Sequence, residues 1–301
     1  MAPWPALRNG LAHTALVLLL GAPPDTAASV EVIDDTGRPV VLVRPAARIV
    51  SLAPHITEAL FAAGAGDRIV GTVGYSDHPE AAKRITRIGD ALSLDLERIA
   101  TLRPDVLIVW DGGNAPRQID ALQALRLPIY RDRPATLADV ARSIEQFGQL
   151  AGTSDAARPA AADIRRRVAV LRAAYGARPV VPVFYQIWQR PLMTVGGAHA
   201  ISDAIALCSG RNVFGDLRTL APTVEVEAVI AADPEVIGTS GTPASAGDSL
   251  AQWRKWPRLT ATARENFFVV PPEHLNRLGP RMVEGAEALC AFLERARAKR
   301  P

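Results

Sequence analysis

The chain has 301 residues, 49% of them hydrophobic and 22% charged, which is enough apolar material for a folded core and argues against a disordered or fibrous chain. Its 34 Lys and Arg against 31 Asp and Glu leave a formal charge of +3, and no dense basic run is interleaved with aromatics, so the sequence argues against nucleic acid as a partner. Five Trp, four Tyr and seven Phe are few enough that their positions point to recognition rather than bulk packing.

Residues 1–28 read as a secretory signal. Arg8 precedes the apolar stretch 11–20, and small residues follow at Ala22, Thr26, Ala27 and Ala28. The stretch is shorter than the roughly 20 apolar residues of a membrane span, and no Cys nearby could carry a lipid anchor. The expectation is an exported, soluble, unanchored protein. Residues 30–33 and 40–43 then form a hairpin pattern around Gly37. Strands at 48–51, 69–72, 106–110 and 129–130 alternate with helices at 57–63, 96–102 and 115–125, which predicts parallel α/β construction for a first lobe over 29–145. Helical patterns at 137–151 and 156–175 carry almost no strand signal, so 146–176 reads as a connecting helix region. Beyond it, strands at 180–185, 236–237 and 267–270 and helices at 200–207, 226–232 and 279–297 predict a second α/β lobe over 177–301. The segment GTSGTPASAG, 238–247, has the composition of a loop.

An internal repeat supports two similarly built lobes. LERIATLRPDVLI (96–108) and VEAVIAADPEVIG (226–238) align without gaps, matching Glu97 to Glu227, Pro104 to Pro234 and Asp105 to Glu235. Glu97 and Glu227 fall near helix starts, where negative charge complements the dipole; the alternative is a pair of exposed carboxylates, one per lobe, offered to a basic partner. The only cysteines, Cys208 and Cys290, fit either a disulfide in an exported protein or two buried thiols.

Open α/β sheets bind ligands at the carboxyl ends of their strands. Those positions hold His55 after 48–51, Tyr75 to His78 after 69–72, Asp111 to Asn114 after 106–110, Trp188 after 180–185, and Glu273 to Arg277 after 267–270. Tyr75, Trp110 and Trp188 therefore lie at strand ends, where flat rings suit a large flat ligand; Trp110 could equally be a core strand residue. His55, His78, His199 and His274 lack the i, i+4 spacing of a helical metal site, and His55 could instead help to start the helix at 57. No nucleophile elbow, phosphate-cradling loop or paired-carboxylate constellation stands out, so no catalytic residue and no bound metal or cofactor is assigned.

The strings RIVSLAPHITEALFAAG, GYSDHPEAAKRI, LERIATLRPDVLIVWDGGNAPRQIDAL, Cys208 with SGRNVF, and RLGPRMVEGAEALC resemble the periplasmic substrate-binding proteins of ABC importers whose two α/β lobes are joined by a rigid helix. YSDHP and WDGGNAPRQ are most similar to the cobalamin-binding members, whereas the TE and GPR segments are shared with haem and siderophore binders. The resemblance implies two Rossmann-like α/β lobes joined by a long rigid helix, a ligand cleft between them and little hinge motion. It implies cobalamin (vitamin B12) or another corrinoid as transported ligand, contacted by Tyr75, Glu273, His274, Leu275, Asn276 and Arg277, with Trp110 as a cleft aromatic; the strand-end reading adds Trp188 and His55 to the expected site, with Asp111, Asn114 and Arg277 making polar contacts to the ligand's amides. The resemblance also implies Glu97 and Glu227 as docking residues for an inner-membrane permease with its ATPase, and a Cys208–Cys290 disulfide. The chain is then a monomer and not an enzyme. Haem or a ferric siderophore is the alternative cargo, and a metal-dependent periplasmic enzyme using His55, His78 or His274 a distant one. Where the cobalamin binders have further cleft tryptophans, this chain has Ala91 or Leu92, and Ala221.

Overall fold

Both sheets grow from short runs of β-branched and aliphatic residues that are covered on two faces, the pattern of parallel strands flanked by helices. The computed structural model describes residues 1–2, 29–90 and 93–301; the signal expected over 1–28 falls, but for its first two residues, outside them, as do Ala91 and Leu92. An antiparallel hairpin of β1 (Val30–Ile33) and β2 (Pro39–Leu42) comes first. Its turn is closed by Asp34, whose carboxylate accepts from the backbone N–H groups of Thr36 and Arg38, while Gly37 takes the positive φ of 82°.

The first lobe follows: β3 (Ile49–Ser51), α1 (Pro54–Ala62), β4 (Ile69–Thr72), α2 (Leu96–Thr101), β5 (Val106–Trp110), α3 (Pro116–Gln123) and β6 (Ile129–Asp132). Its strands are all parallel, in the order β4-β3-β5-β6. Two helices come next, α4 (Leu137–Ala151) and α5 (Ser154–Tyr175). The second lobe comprises β7 (Val181–Gln186), α6 (Ala200–Leu207), β8 (Gly210–Asn212), α7 (Val226–Ala232), β9 (Val236–Ser240), α8 (Pro243–Ala251), α9 (Thr260–Ala263), β10 (Phe267–Val270), α10 (Pro272–Leu275) and α11 (Met282–Ala298). Its parallel sheet runs β8-β7-β9-β10. In each lobe the first strand lies between the second and the third, so the two sheets share one order.

That order gives the sequence repeat its meaning. The repeated segments are α2 with β5 and α7 with β9, the third strand of each sheet and the helix before it. Asp105, just ahead of β5, accepts from Ala47 and Arg48 N–H groups at 2.8 Å each and so pins the entry to β3. Its counterpart Glu235 instead holds Arg300 (2.7 Å) and Arg264 (3.0 Å), tying the end of the chain to the second sheet.

The connector rests on both lobes. Along α4, Leu137 belongs to the second lobe's core, while Val140, Ile144, Phe147 and Leu150 belong to the first; along α5, Ala161 and Ile164 face the first core and Leu171 the second. A capping box starts α4, with Thr136 Oγ1 accepting from Asp139 N and Asp139 Oδ2 accepting from Thr136 N. Arg165 pairs with Glu145 and Arg167 with Glu287, fastening α5 to α4 and to α11. A helical pair packed on two cores resists bending far better than a strand or loop hinge.

Besides the short helices α9 and α10, which the sequence reading does not contain, the structure departs from it at two places. Residues 238–247 are not a loop: β9 continues to Ser240, between β7 and β10, and α8 begins at Pro243. Central pairing on both edges overrides the Gly, Ser and Thr composition. β8 has no apolar run at all and exists because Gly210–Asn212 pair with Val181–Val183 at the sheet's edge. Cys208 and Cys290 are joined by a disulfide between the end of α6 and α11.

His199 gives this lobe an acid-sensitive contact. Its Nδ1 accepts from Ile201 N at 3.1 Å, capping α6, and burial pushes its pKa down from 6.5 to about 4. The unfolded chain therefore binds more protons than the folded one between those values. Stability is complete above pH 6.5 and falls as pH drops toward 4, by on the order of 3 kcal/mol. His199→Asn, which keeps a capping acceptor without the titration, should flatten the melting temperature over that interval. An unchanged profile in the variant would exclude His199 as its source.

Candidate functional site

The carboxyl ends of both sheets face the space between the lobes, as open α/β sheets require of a ligand site. On the second lobe they open into a recess of about 920 Å³ lined by Gln186, Trp188, Arg190, Ser240, Asp248 and Asn276, among others. That is near the upper end of ligand-pocket volumes. Trp188 stands on a tight turn, its Nε1 donating to Arg190 O at 2.9 Å, and leaves its ring 63% exposed. Asn276 is held at the rim, accepting from Tyr185 Oη at 3.1 Å and donating to Ser240 Oγ at 2.6 Å.

On the first lobe Tyr75 is 81% exposed with φ at +62°. A non-glycine residue in the left-handed region costs on the order of 1–3 kcal/mol, and here that strain presents a ring to solvent rather than to a core. Arg87 holds the loop in place, donating to Val73 O (3.2 Å) and Ser76 O (2.8 Å). Trp110, at the end of β5, is partly buried and packs against the cores of both lobes. Gly113 makes room for it, since a Cβ there would lie 1.9 Å from Trp110 Cε3.

Between these aromatics the lobes are joined by charge. Glu58 of α1, 4% exposed, accepts from Arg281 Nε (3.0 Å) and Nη2 (2.7 Å) and from Arg277 Nη1 (3.1 Å). Arg277 Nη1 also donates to Asp77 Oδ1 at 2.8 Å. Burial alone would raise the Asp77 carboxyl, but the Arg277 hydrogen bond and charge outweigh it and hold its pKa below the ordinary value. The backbone follows the same contact: a Cβ on Gly279 would lie 3.4 Å from His55 Cβ.

The structure thus brings Tyr75, Trp188, Asn276 and Arg277 to the strand-end side, with Glu273 half-buried in the short α10. It places others elsewhere. Leu275 is fully buried in the second core, because α10 turns its apolar side inward, so its side chain is closed to a ligand. His55 is 4% exposed, edge-on to Trp110 at 5.1 Å, with Nε2 3.3 Å from Asp132; it packs the lobe contact instead of lining the recess. His274 lies 3.5 Å from Glu284 of α11. Asn114, expected to reach ligand amides, spends its side chain on backbone, accepting from Trp110 N (2.7 Å) and donating to Leu52 O (3.0 Å). Asp111 faces Arg131 at 3.2 Å and Arg133 at 3.7 Å.

Glu58 and Arg281 had no role in the sequence reading, although they sit in the TE and GPR segments. Ser240 is hidden by reading 238–247 as a loop, and Asp248, just beyond that segment, lies in α8, a helix absent from the sequence reading. Glu97 and Glu227 are both exposed, each in the first turn of its helix. Among the described residues no group of three or more His, Cys, Asp or Glu could hold a metal ion, and no helix is long and apolar enough to cross a membrane.

The periplasmic binding protein family model matches residues 49–274. The chain belongs to that family. Within it, the chain is 35% identical over 251 residues to the vitamin B12-binding protein of Vibrio cholerae serotype O1, covering 83% of this chain and 90% of the relative. The crystal structure of the periplasmic vitamin B12 binding protein of Vibrio cholerae superposes with a TM-score of 0.77 at 35% identity, covering 84% of this chain and 98% of that one. A periplasmic heme-binding protein from Roseiflexus gives 0.72 at 25% identity, covering 83% and 98%. The two-lobe α/β architecture is that of the family, whose members are binding proteins rather than enzymes.

Proposed function

We propose that this protein is the exported binding component of an ABC importer, taking cobalamin or a related corrinoid between its lobes and passing it to an inner-membrane permease and its ATPase. It performs no bond chemistry and carries no resident cofactor; the corrinoid is cargo. The observation that carries this reading is the 35% identity to a vitamin B12-binding protein across most of both chains. The geometry supports it, since two exposed rings, Tyr75 and Trp188, stand at strand ends on opposite lobes, and Trp188 lines a second-lobe recess of about 920 Å³ rich in amide and hydroxyl groups. A helical connector packed on both cores favours a largely preformed cleft.

Haem is the second reading. Tyr75 and His78 are both exposed on one loop and either side-chain type can ligate iron. Titration of the purified protein with cyanocobalamin, with haemin alongside, separates the two. Cyanocobalamin should bind with submicromolar Kd, and Tyr75→Ala or Trp188→Ala should each weaken it by roughly tenfold, the upper end for one aromatic contact. Tight haemin binding without cyanocobalamin binding would replace the corrinoid reading by the haem one. Glu97 and Glu227, exposed at equivalent helix starts, are the proposed permease contacts. The Glu97→Lys/Glu227→Lys variant should bind cyanocobalamin but fail to stimulate the importer's ATP hydrolysis; normal stimulation removes that role.

A further inference from the structure

We infer that Asp77 sets the cargo's charge: by neutralising Arg277 it turns the cleft against carboxylate-bearing ligands and toward uncharged, amide-rimmed ones. The inference rests on the corrinoid reading. Arg277 follows Asn276, which lines the recess, and Asp77 follows the exposed Tyr75 by two residues. Their ion pair, 200 residues apart in sequence, therefore lies where the second lobe's rim meets the first lobe's aromatic loop. Without acidic partners, Arg277 would clamp a ligand carboxylate by charge-assisted hydrogen bonds where the lobes meet, in addition to the exposed Arg190 that lines the recess itself.

Those partners are present. Arg277 and Arg281 meet Glu58 and Asp77 within 3.1 Å, so two guanidinium charges face two carboxylates, and Arg281 also feels Glu273. On the facing first-lobe strand ends, Arg131 at 3.2 Å and the more exposed Arg133 at 3.7 Å share the one carboxylate of Asp111, so the two-against-two balance belongs to the Arg277 contact alone. Glu58 is buried and held by Arg281 at two points, which makes it a fixed part of the lobe contact. Asp77 has a side chain 49% exposed and a single guanidinium partner, so it is the removable half of the balance. A carboxylate brought beside Arg277 meets Asp77 at close range and must displace it; a neutral carboxamide can share the guanidinium without like-charge repulsion.

The test compares cyanocobalamin with its monocarboxylic acid, in which one peripheral propionamide is hydrolysed. Wild-type protein should bind the acid at least about tenfold more weakly than the amide, the scale of one charge-assisted hydrogen bond. Asp77→Asn should shrink that ratio about tenfold, and Asp77→Glu should restore it, which a purely structural role for Asp77 would not produce. A ratio unchanged in Asp77→Asn, with cyanocobalamin still bound, overturns the inference and leaves the corrinoid reading standing. Wild-type protein that ignores cyanocobalamin yet binds haemin tightly overturns both, because haem carries two propionates.

Discussion

Glu58→Ala should destabilise the protein by about 3 kcal/mol, the lower end of the cost of removing one partner from a buried ion pair. Both guanidinium groups it holds, on Arg277 and Arg281, keep side-chain exposures of 21% and 18%, so water relieves part of the uncompensated charge. The carboxylate itself is nearly inaccessible and accepts three hydrogen bonds from the opposite lobe. Its loss therefore acts on the lobe contact more than on either core. Urea unfolding gives the free energy, and small-angle scattering should show a larger radius of gyration as the lobes part on that side. In a double-mutant cycle, Glu58→Ala and Arg281→Ala should couple by more than about 1 kcal/mol, since contacting charges are non-additive. A Glu58→Ala variant within about 0.5 kcal/mol of wild type, the usual range for a surface substitution, with additive double-mutant behaviour, would show that the connector alone sets the lobe geometry.

The same contact shows where sequence reading succeeds and where it stops. The alternation of strands and helices is legible because each unit is local: five residues such as Val106–Trp110 announce a buried parallel strand, and Pro104 with Asp105 marks the entry to it. The repeat is legible for the same reason and points to two similarly built lobes; their shared strand order is visible only in the structure. Glu58 pairs with residues 219 and 223 positions away, and nothing local distinguishes it from a solvated helix carboxylate. Residues 238–247 mislead because their composition is that of a loop, while β7 and β10 on either side hold 238–240 in β9 and Pro243 opens a helix just beyond. Leu275 and Asn276 show the limit within the site: a four-residue helix sends one side chain into the core and the next to the recess rim, and only the packing decides which.

Removing the Cys208–Cys290 bond should cost about 4 kcal/mol and lower the melting temperature by on the order of 10 °C, if the bond acts by restricting the unfolded chain. It closes a segment with a sequence separation of 82, which contains β8, β9 and β10, most of the second sheet. Both sulfurs lie in a core where Ile205, Leu289 and Leu293 are fully buried alongside them. The packing of α6 on α11 should therefore survive a Cys208→Ala/Cys290→Ala substitution, and ligand affinity should follow it. The two accounts of disulfide stabilisation then separate cleanly. Restriction of the unfolded chain predicts a larger urea m-value in the variant, because the open chain exposes more surface. A loss below about 1 kcal/mol with an unchanged m-value would mean that the second lobe's core, and not the covalent link, holds α11 against α6.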